Sequence, residues 1–240
     1  MATEQILPGV YRIGLGYVNA FLIAGEDAVL IDSGLPNRRE TILKALAQAG
    51  RKPEDLKHIA ITHDHVDHTG SVAALVQSTG AKVYIHALDA PVLRGDQPQR
   101  GPNQELFVNR LLGGIVNRLA LPALDPAEVD QEVSDGDELP MAGGMKVIHA
   151  PGHTPGSVAF LKTGDGGVLF AGDAAGNVFG RLGPPVGLLG GLFTQDMAQA
   201  RESFRKLAAL EFDVACFGHG GVLRDKAHAA FRRYVEKRAR

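Results

Sequence analysis

Thr62-His63-Asp64-His65-Val66-Asp67-His68 sets three imidazoles and two carboxylates into seven residues, directly behind the apolar run His58-Ile59-Ala60-Ile61. Neutral imidazole is the commonest nitrogen ligand for zinc and its neighbours, and carboxylates fill oxygen-rich positions. The apolar run reads as a buried strand. Thr69-Gly70-Ser71-Val72-Ala73-Ala74-Leu75-Val76 reads as the opening of a helix that continues to about Gln77. The cluster therefore falls on the turn at a strand's carboxyl end, where open α/β folds place their chemistry. Residues two apart in extended backbone point the same way, so His63 and His65 can share one ion. Asp67 and His68 lie one step further round the turn and are better placed to hold a second.

Further donors follow in chain order, each behind a strand. Ala150-Pro151-Gly152-His153-Thr154-Pro155-Gly156-Ser157 carries a histidine on a Pro/Gly turn between the apolar stretches Met145 to His149 and Val158 to Leu161. Val168-Leu169-Phe170-Ala171-Gly172-Asp173 is a strand ending in Gly-Asp, and Asp173 is a candidate bridge between two ions. Val214-Ala215-Cys216-Phe217-Gly218-His219 is another strand, followed by a glycine-flanked histidine.

This pattern resembles the metallo-β-lactamase fold superfamily, whose hallmark is His-x-His-x-Asp-His followed by isolated His, Asp and His at later strand ends. The five hallmark segments span most of the chain. Carried over by position, the resemblance implies that His63, His65 and His153 hold one divalent ion and Asp67, His68 and His219 hold another, with Asp173 bridging. It implies an α/β fold of the four-layer αβ/βα sandwich type with the site at one edge. Zinc is the expected metal, with iron or manganese as alternatives. Asp32, in Leu30-Ile31-Asp32-Ser33-Gly34, matches an early strand-end aspartate that orients a ligand histidine in the family; by itself it reads equally as a turn aspartate.

Composition agrees with a soluble globular chain of 240 residues, read as one domain over 1–240 with a variable lid or wall inserted around 91–130. No apolar run approaches the ~18 residues needed to cross a bilayer, and the amino end lacks a basic segment followed by an apolar core. A cytoplasmic location with no membrane partner is expected. The single cysteine, Cys216, excludes an intrachain disulfide and reads as a buried structural thiol.

Val10 to Gly14, Asn19 to Ala24 and Ala28 to Asp32 read as three strands of a meander. A helix follows, with an N-cap at Pro36-Asn37-Arg38, Glu40 three residues on, and Gly50 ending it. Later come a strand Lys82 to Ile85, a helix from about Gln195 to Ala209, a strand Asp213 to Phe217, and a helix Lys226 to about Arg238. Between the halves, 91–130 holds a partly apolar helical stretch through Leu106, Leu111, Leu112, Ile115, Val116 and Leu119. It reads either as a wall of the cleft or as a connector packed on the sheet. The apolar segment 178–193 either lines an acyl pocket or forms a contact in a homodimer.

Two adjacent divalent ions lower the pKa of a shared water from 15.7 towards ~7, so the expected nucleophile is hydroxide on the metal, with Asp67 and Asp173 as catalytic carboxylates. Family patterns narrow the small-molecule substrate. β-Lactamases of the superfamily with a three-histidine site commonly carry Cys where this chain has Asp173. A bridging aspartate suits thioester, lactone and phosphodiester hydrolases. Glyoxalase II-like enzymes resemble it in His153-Thr154-Pro155-Gly156 but usually add a helical, basic carboxyl domain, and this chain ends about twenty residues after His219. Acyl-homoserine-lactone hydrolases generally place a tyrosine shortly after the bridging aspartate, where this chain has Ala174-Ala175-Gly176-Asn177. A net charge of −2 offers no excess of basic charge for binding phosphate, and the basic carboxyl helix with Arg232, Arg233, Lys237, Arg238 and Arg240 reads more simply as a solvated one, so nucleic acid is not expected. His65 argues against flavodiiron proteins, which carry glutamate there. The expectation is a metal-dependent hydrolase of an ester-like bond, thioester or lactone first. The alternatives are a mononuclear iron persulfide dioxygenase, which keeps the same motif, and a β-lactam or phosphodiester hydrolase.

Overall fold

Short apolar stretches separated by tight turns form the first four strands, β1 (Thr3–Leu7), β2 (Val10–Gly14), β3 (Asn19–Ile23) and β4 (Ala28–Ile31), each antiparallel to its neighbour. The computed structural model describes residues 3–101, 103, 122–164, 166–177, 185–191 and 193–238. The helical stretch expected through Leu106 to Leu119, and 178–184 with residue 192 of the second apolar segment, lie outside the described residues. Strand β1 carries no periodic signal because it is an edge strand with Ile6 as its one buried side chain.

From β4 onward the sheet turns parallel, adding β5 (Leu56–Ala60), β6 (Lys82–His86) and β7 (Gln131–Val133), so that seven strands run in sequence order. Helices α1 (Arg39–Gln48), α2 (Val66–Thr69), α3 (Val72–Thr79) and α4 (Ala90–Leu93) follow the strands of this half. Every side chain of β3 and β4 is buried, as expected for strands covered on both faces. The second sheet runs β12-β11-β10-β9-β8, built from β8 (Glu138–Leu139), β9 (Met145–His149), β10 (Val158–Lys162), β11 (Val168–Phe170) and β12 (Val214–Cys216). Helix α5 (Met197–Ala208) precedes β12 and α6 (Ala227–Arg238) follows it. The Asp196 carboxylate caps α5 by accepting the N–H groups of Ala198 and Gln199.

Three buried clusters divide the layers. Ile42, Leu46 and Leu75 pack on Leu30, Ile59 and Val83 between the first helices and the first sheet. Phe21, Ile31, Val147, Phe160 and Phe170 fill the space between the sheets. Phe204, Leu207 and Phe231 cover the outer face of the second sheet at Leu169 and Ala215. Helix, sheet, sheet, helix is the αβ/βα sandwich that the sequence pattern implies.

Two local expectations fail for physical reasons. The cap expected at Asn37 does not form: Asn37 takes a left-handed conformation (φ 65°), and α1 starts at Arg39 with no side-chain cap. Instead the Arg38 N–H donates to Ser71 Oγ at 2.8 Å, a partner 33 positions away that local pattern cannot supply. The helix after the histidine cluster is also broken, into α2 and α3. Gly70 passes so close to the preceding segment that a Cβ there would lie 2.4 Å from the Pro36 nitrogen. Ser71 then donates to the Leu35 carbonyl and accepts from Arg38, holding the break.

Candidate metal centre

Parallel strands deliver their carboxyl ends to one edge, which is why residues far apart in sequence meet. Asp32 follows β4, the His63–His68 turn follows β5, His153 follows β9, Asp173 follows β11 and His219 follows β12. The two sheets are tied at this edge. Val158 N–H donates to the Thr62 carbonyl, and Asn19 of β3 donates from its backbone to Gly218 O and from its side chain to Phe217 O and Gly220 O.

All seven residues singled out as metal candidates come together. His63, His65 and His153 form one group whose donor atoms lie within 4.8 Å of one another; Asp67, His68 and His219 form another, and His63, His68 and Asp173 a third. Asp173 stands at the centre. Its oxygens lie 3.2 Å from His219 Nε2, 3.3 Å from His153 Nε2, 3.6 Å from His68 Nε2 and 4.0 Å from His63 Nε2. Asp67 Oδ2 lies 3.5 Å from His219 Nε2 and 4.0 Å from His68 Nε2. Gly218 leaves the necessary room: a Cβ there would sit 2.3 Å from Asp173 Oδ1 and 2.5 Å from His68 Cε1.

Surrounding hydrogen bonds set the tautomers. Thr62 Oγ1 donates to the Asp32 carboxylate and so accepts from His63 Nδ1–H at 3.0 Å. Thr194 Oγ1 donates to Gly190 O and accepts from His153 Nδ1–H at 3.2 Å. His68 Nδ1–H donates to Asp32 Oδ2 at 2.8 Å, and His219 Nδ1–H donates to the Tyr17 carbonyl at 2.9 Å. Each of these four rings therefore turns Nε2 inward, the arrangement that outer hydrogen bonds impose on histidine ligands. His65 instead brings Nδ1 to 2.9 Å from His153 Nε2, a spacing that calls for a proton or a cation to separate two lone pairs.

The donor set fits a cation. Among the described residues, His63 Nε2, His68 Nε2 and Asp173 Oδ1 are buried without a hydrogen-bond partner, a state that costs free energy unless something positive is shared between them. Burial lowers the pKa of His63 well below its ordinary value, that of His65 to about 4 and that of His153 to about 3, giving the neutral form that binds metal. Burial also opposes charge on His68, but Asp173, Asp32 and Asp67 outweigh it and push this ring up to about 10. Burial raises Asp173, yet His68, His219 and His153 hold it well below the usual carboxylate range.

Asp32 adopts a left-handed backbone conformation (φ 58°) at the end of β4, which carries its carboxylate to Thr62 N–H, Thr62 Oγ1 and His68 Nδ1. The turn reading of Asp32 thus gives way to an orienting one. Asp32→Ala is expected to weaken metal binding by about 10–100-fold, the usual effect of losing such a partner. Chelator competition measures this, and unchanged affinity would refute the role.

Local pattern did not reveal Tyr17, Thr62, Asp89, Arg100, Phe193 or Thr194. Tyr17 is 63% exposed yet stacks on His219, ring centroids 5.7 Å apart and planes 4° apart. Phe193 meets His65 edge-on at 6.2 Å. Cys216 is fully buried and its thiol is pushed up by burial, so it stays out of the chemistry. No helix among the described residues is long and apolar enough to cross a membrane.

Comparison with known proteins gives the family. The family model of the metallo-beta-lactamase superfamily matches residues 13–219. A probable metallo-hydrolase, YflN, of Bacillus subtilis is 30% identical over 230 residues, covering 88% of this chain and 84% of that protein. A hydroxyacylglutathione hydrolase of Anaeromyxobacter dehalogenans is 32% identical over 193 residues, covering 75% of this chain and 60% of that protein. Among solved structures, a Cronobacter sakazakii metallo-beta-lactamase with a HARLDQ motif superimposes with a TM-score of 0.73 at 25% identity, covering 100% of this chain and 92% of its own. The fold, the strand-end His and Asp residues and the match over 13–219 together place this chain in the metallo-beta-lactamase superfamily.

Proposed function

We propose that the protein is a hydrolase that uses two divalent metal ions, zinc foremost, on an ester-like bond of a small molecule, with thioesters or lactones ahead of other substrates. The observation that carries this reading is the position of Asp173, within 3.2–4.0 Å of four inward-facing histidine nitrogens. His63, His65 and His153 would hold one ion, Asp67, His68 and His219 the other, and Asp173 both. When bound, such a pair supplies Lewis acidity and brings the pKa of water towards ~7. Asp67, only partly buried, would orient the attacking water from the open side. Asp173, held well below the usual carboxylate range and without a hydrogen-bond partner on Oδ1, would stay ionised and neutralise the bound cations. Tyr17 and Phe193 flank the two halves of the cluster and would supply apolar walls for an acyl group.

The relative named hydroxyacylglutathione hydrolase supports thioester chemistry. This chain spans 60% of that protein's length, so the likeness supports the class of bond cleaved and not the groups on either side of it. The test is elemental analysis of protein purified without added metal or chelator, followed by rate measurements on thioesters, lactones, β-lactams and phosphodiesters. About two zinc ions per chain with thioester or lactone turnover is the expected result. One iron per chain with oxygen consumed on a persulfide substrate would overturn it.

A further inference from the structure

Asp64 lies between His63 and His65, and its side chain is fully buried. Neither of its carboxylate oxygens makes a hydrogen bond, and its charge is met by the Arg100 guanidinium. The same Arg100 Nη1 lies 2.9 Å from Oδ1 of Asp89, a second fully buried carboxylate. Asp89 spends its remaining capacity on both histidine-bearing turns. Oδ2 accepts from Asp64 N–H at 3.2 Å and from Thr154 Oγ1 at 2.5 Å, and Oδ1 accepts from Gly156 N–H at 2.8 Å. Arg100 Nη2 also donates to Leu88 O. Three residues on, Asn103 Nδ2 donates to the carbonyls of Thr194 and Gln195, and Thr194 is the partner of His153 Nδ1. One short segment thus grips the His63–His65 turn through Arg100 and the surroundings of His153 through Asn103.

We propose that Asp89 and Arg100 are positioning residues that fix the turn carrying His63 and His65 against the turn carrying His153, and so set the geometry of the three-histidine group alone. This rests on the metal-binding reading above. The hydrogen bonds of Asp89 do not reach Asp67, His68 or His219, so loosening this hub acts on one half of the cluster. Arginine suits the role because its planar guanidinium meets both carboxylates through Nη1 while Nη2 is fixed on the Leu88 carbonyl, a second anchor that a lysine ammonium does not offer in the same geometry. Without Arg100, two buried carboxylates from separate loops would face each other with no cation between them among the described residues.

The test is titration of metal-free Asp89→Asn, Arg100→Lys and Thr154→Val proteins with Zn(II) and Co(II), alongside the unaltered chain, with chelator competition and cobalt absorption as readouts. Thr154→Val removes one hydroxyl donor with little change of shape, which keeps the test open where a charge change prevents folding. The expected result is two tightly held ions in the unaltered chain and selective weakening of one of them, by about 10–100-fold, in the variants. Variants that hold both ions as the unaltered chain does, differing only in Tm, would reduce the cluster to an ordinary structural ion pair and overturn the inference. An unaltered chain that binds neither ion would instead overturn the metal reading on which it rests.

Discussion

Asp173→Ala is expected to lower turnover by about 10^3-fold or more, the rate equivalent of the several kcal/mol that a metal centre contributes to charge stabilisation. The reason is position. Among the described residues, Asp173 is the one side chain within 4.0 Å of Nε2 of His63, His68, His153 and His219. Removing its carboxylate leaves four inward-facing imidazoles and takes away the negative charge that would share two cations. Metal content should fall for both ions rather than one, which separates this variant from those at Asp89 or Arg100. The fold should survive, because the layer cores are built from other residues and Asp173 lies at the sheet edge. Metal analysis, far-UV circular dichroism and kcat/KM on the identified substrate check the three parts. Wild-type turnover would remove Asp173 from the bridging position.

Stripping metal with a chelator is expected to lower Tm by about 8–16 °C. An ion present at a thousand times its Kd stabilises the folded chain by about 4 kcal/mol, and a chain of this size shifts by about 2–4 °C per kcal/mol. Without the ions, His63 Nε2, His68 Nε2 and Asp173 Oδ1 are left buried and unpartnered. The pH dependence follows from the direction of each shift. His68 is pushed up to about 10, from 6.5, so its contribution to the metal-free fold is fully present below pH 6.5 and lost as pH rises through about 10. His65, lowered to about 4, and His153, lowered to about 3, contribute stability that is present above pH 6.5 and lost as pH falls towards those values. At neutral pH an incoming ion must displace a proton from His68, so metal affinity should rise with pH between 7 and about 10, with protons released on binding. Melting curves across pH with and without chelator read both effects. A Tm indifferent to chelator would refute the coupling of metal to fold.

The strands that carry the site were legible because they are short apolar runs ending at a histidine or an aspartate: β5 before His63, β9 before His153, β11 before Asp173 and β12 before His219. Three of the four edge strands were not; the exception is β12, whose three side chains are all buried. β1, β7 and β8 each bury a single side chain, too little for a period-two pattern to show. The broken helix after the histidines was also hidden, since Gly70 and Ser71 interrupt it only because Pro36 and Leu35 approach from another segment.

The local sequence by itself determined which chemical groups are available, because ligand type is a property of single residues and strand-end placement follows from neighbouring hydrophobicity. Tertiary structure alone decided how those groups face one another. The inward Nε2 atoms depend on Asp32, Thr194 and the Tyr17 carbonyl, reached across separations of up to 202 positions. The Asp64–Arg100–Asp89 hub likewise joins residues from separate loops. A hydrogen bond across the core depends on where topology brings two backbones, and no local periodicity encodes that.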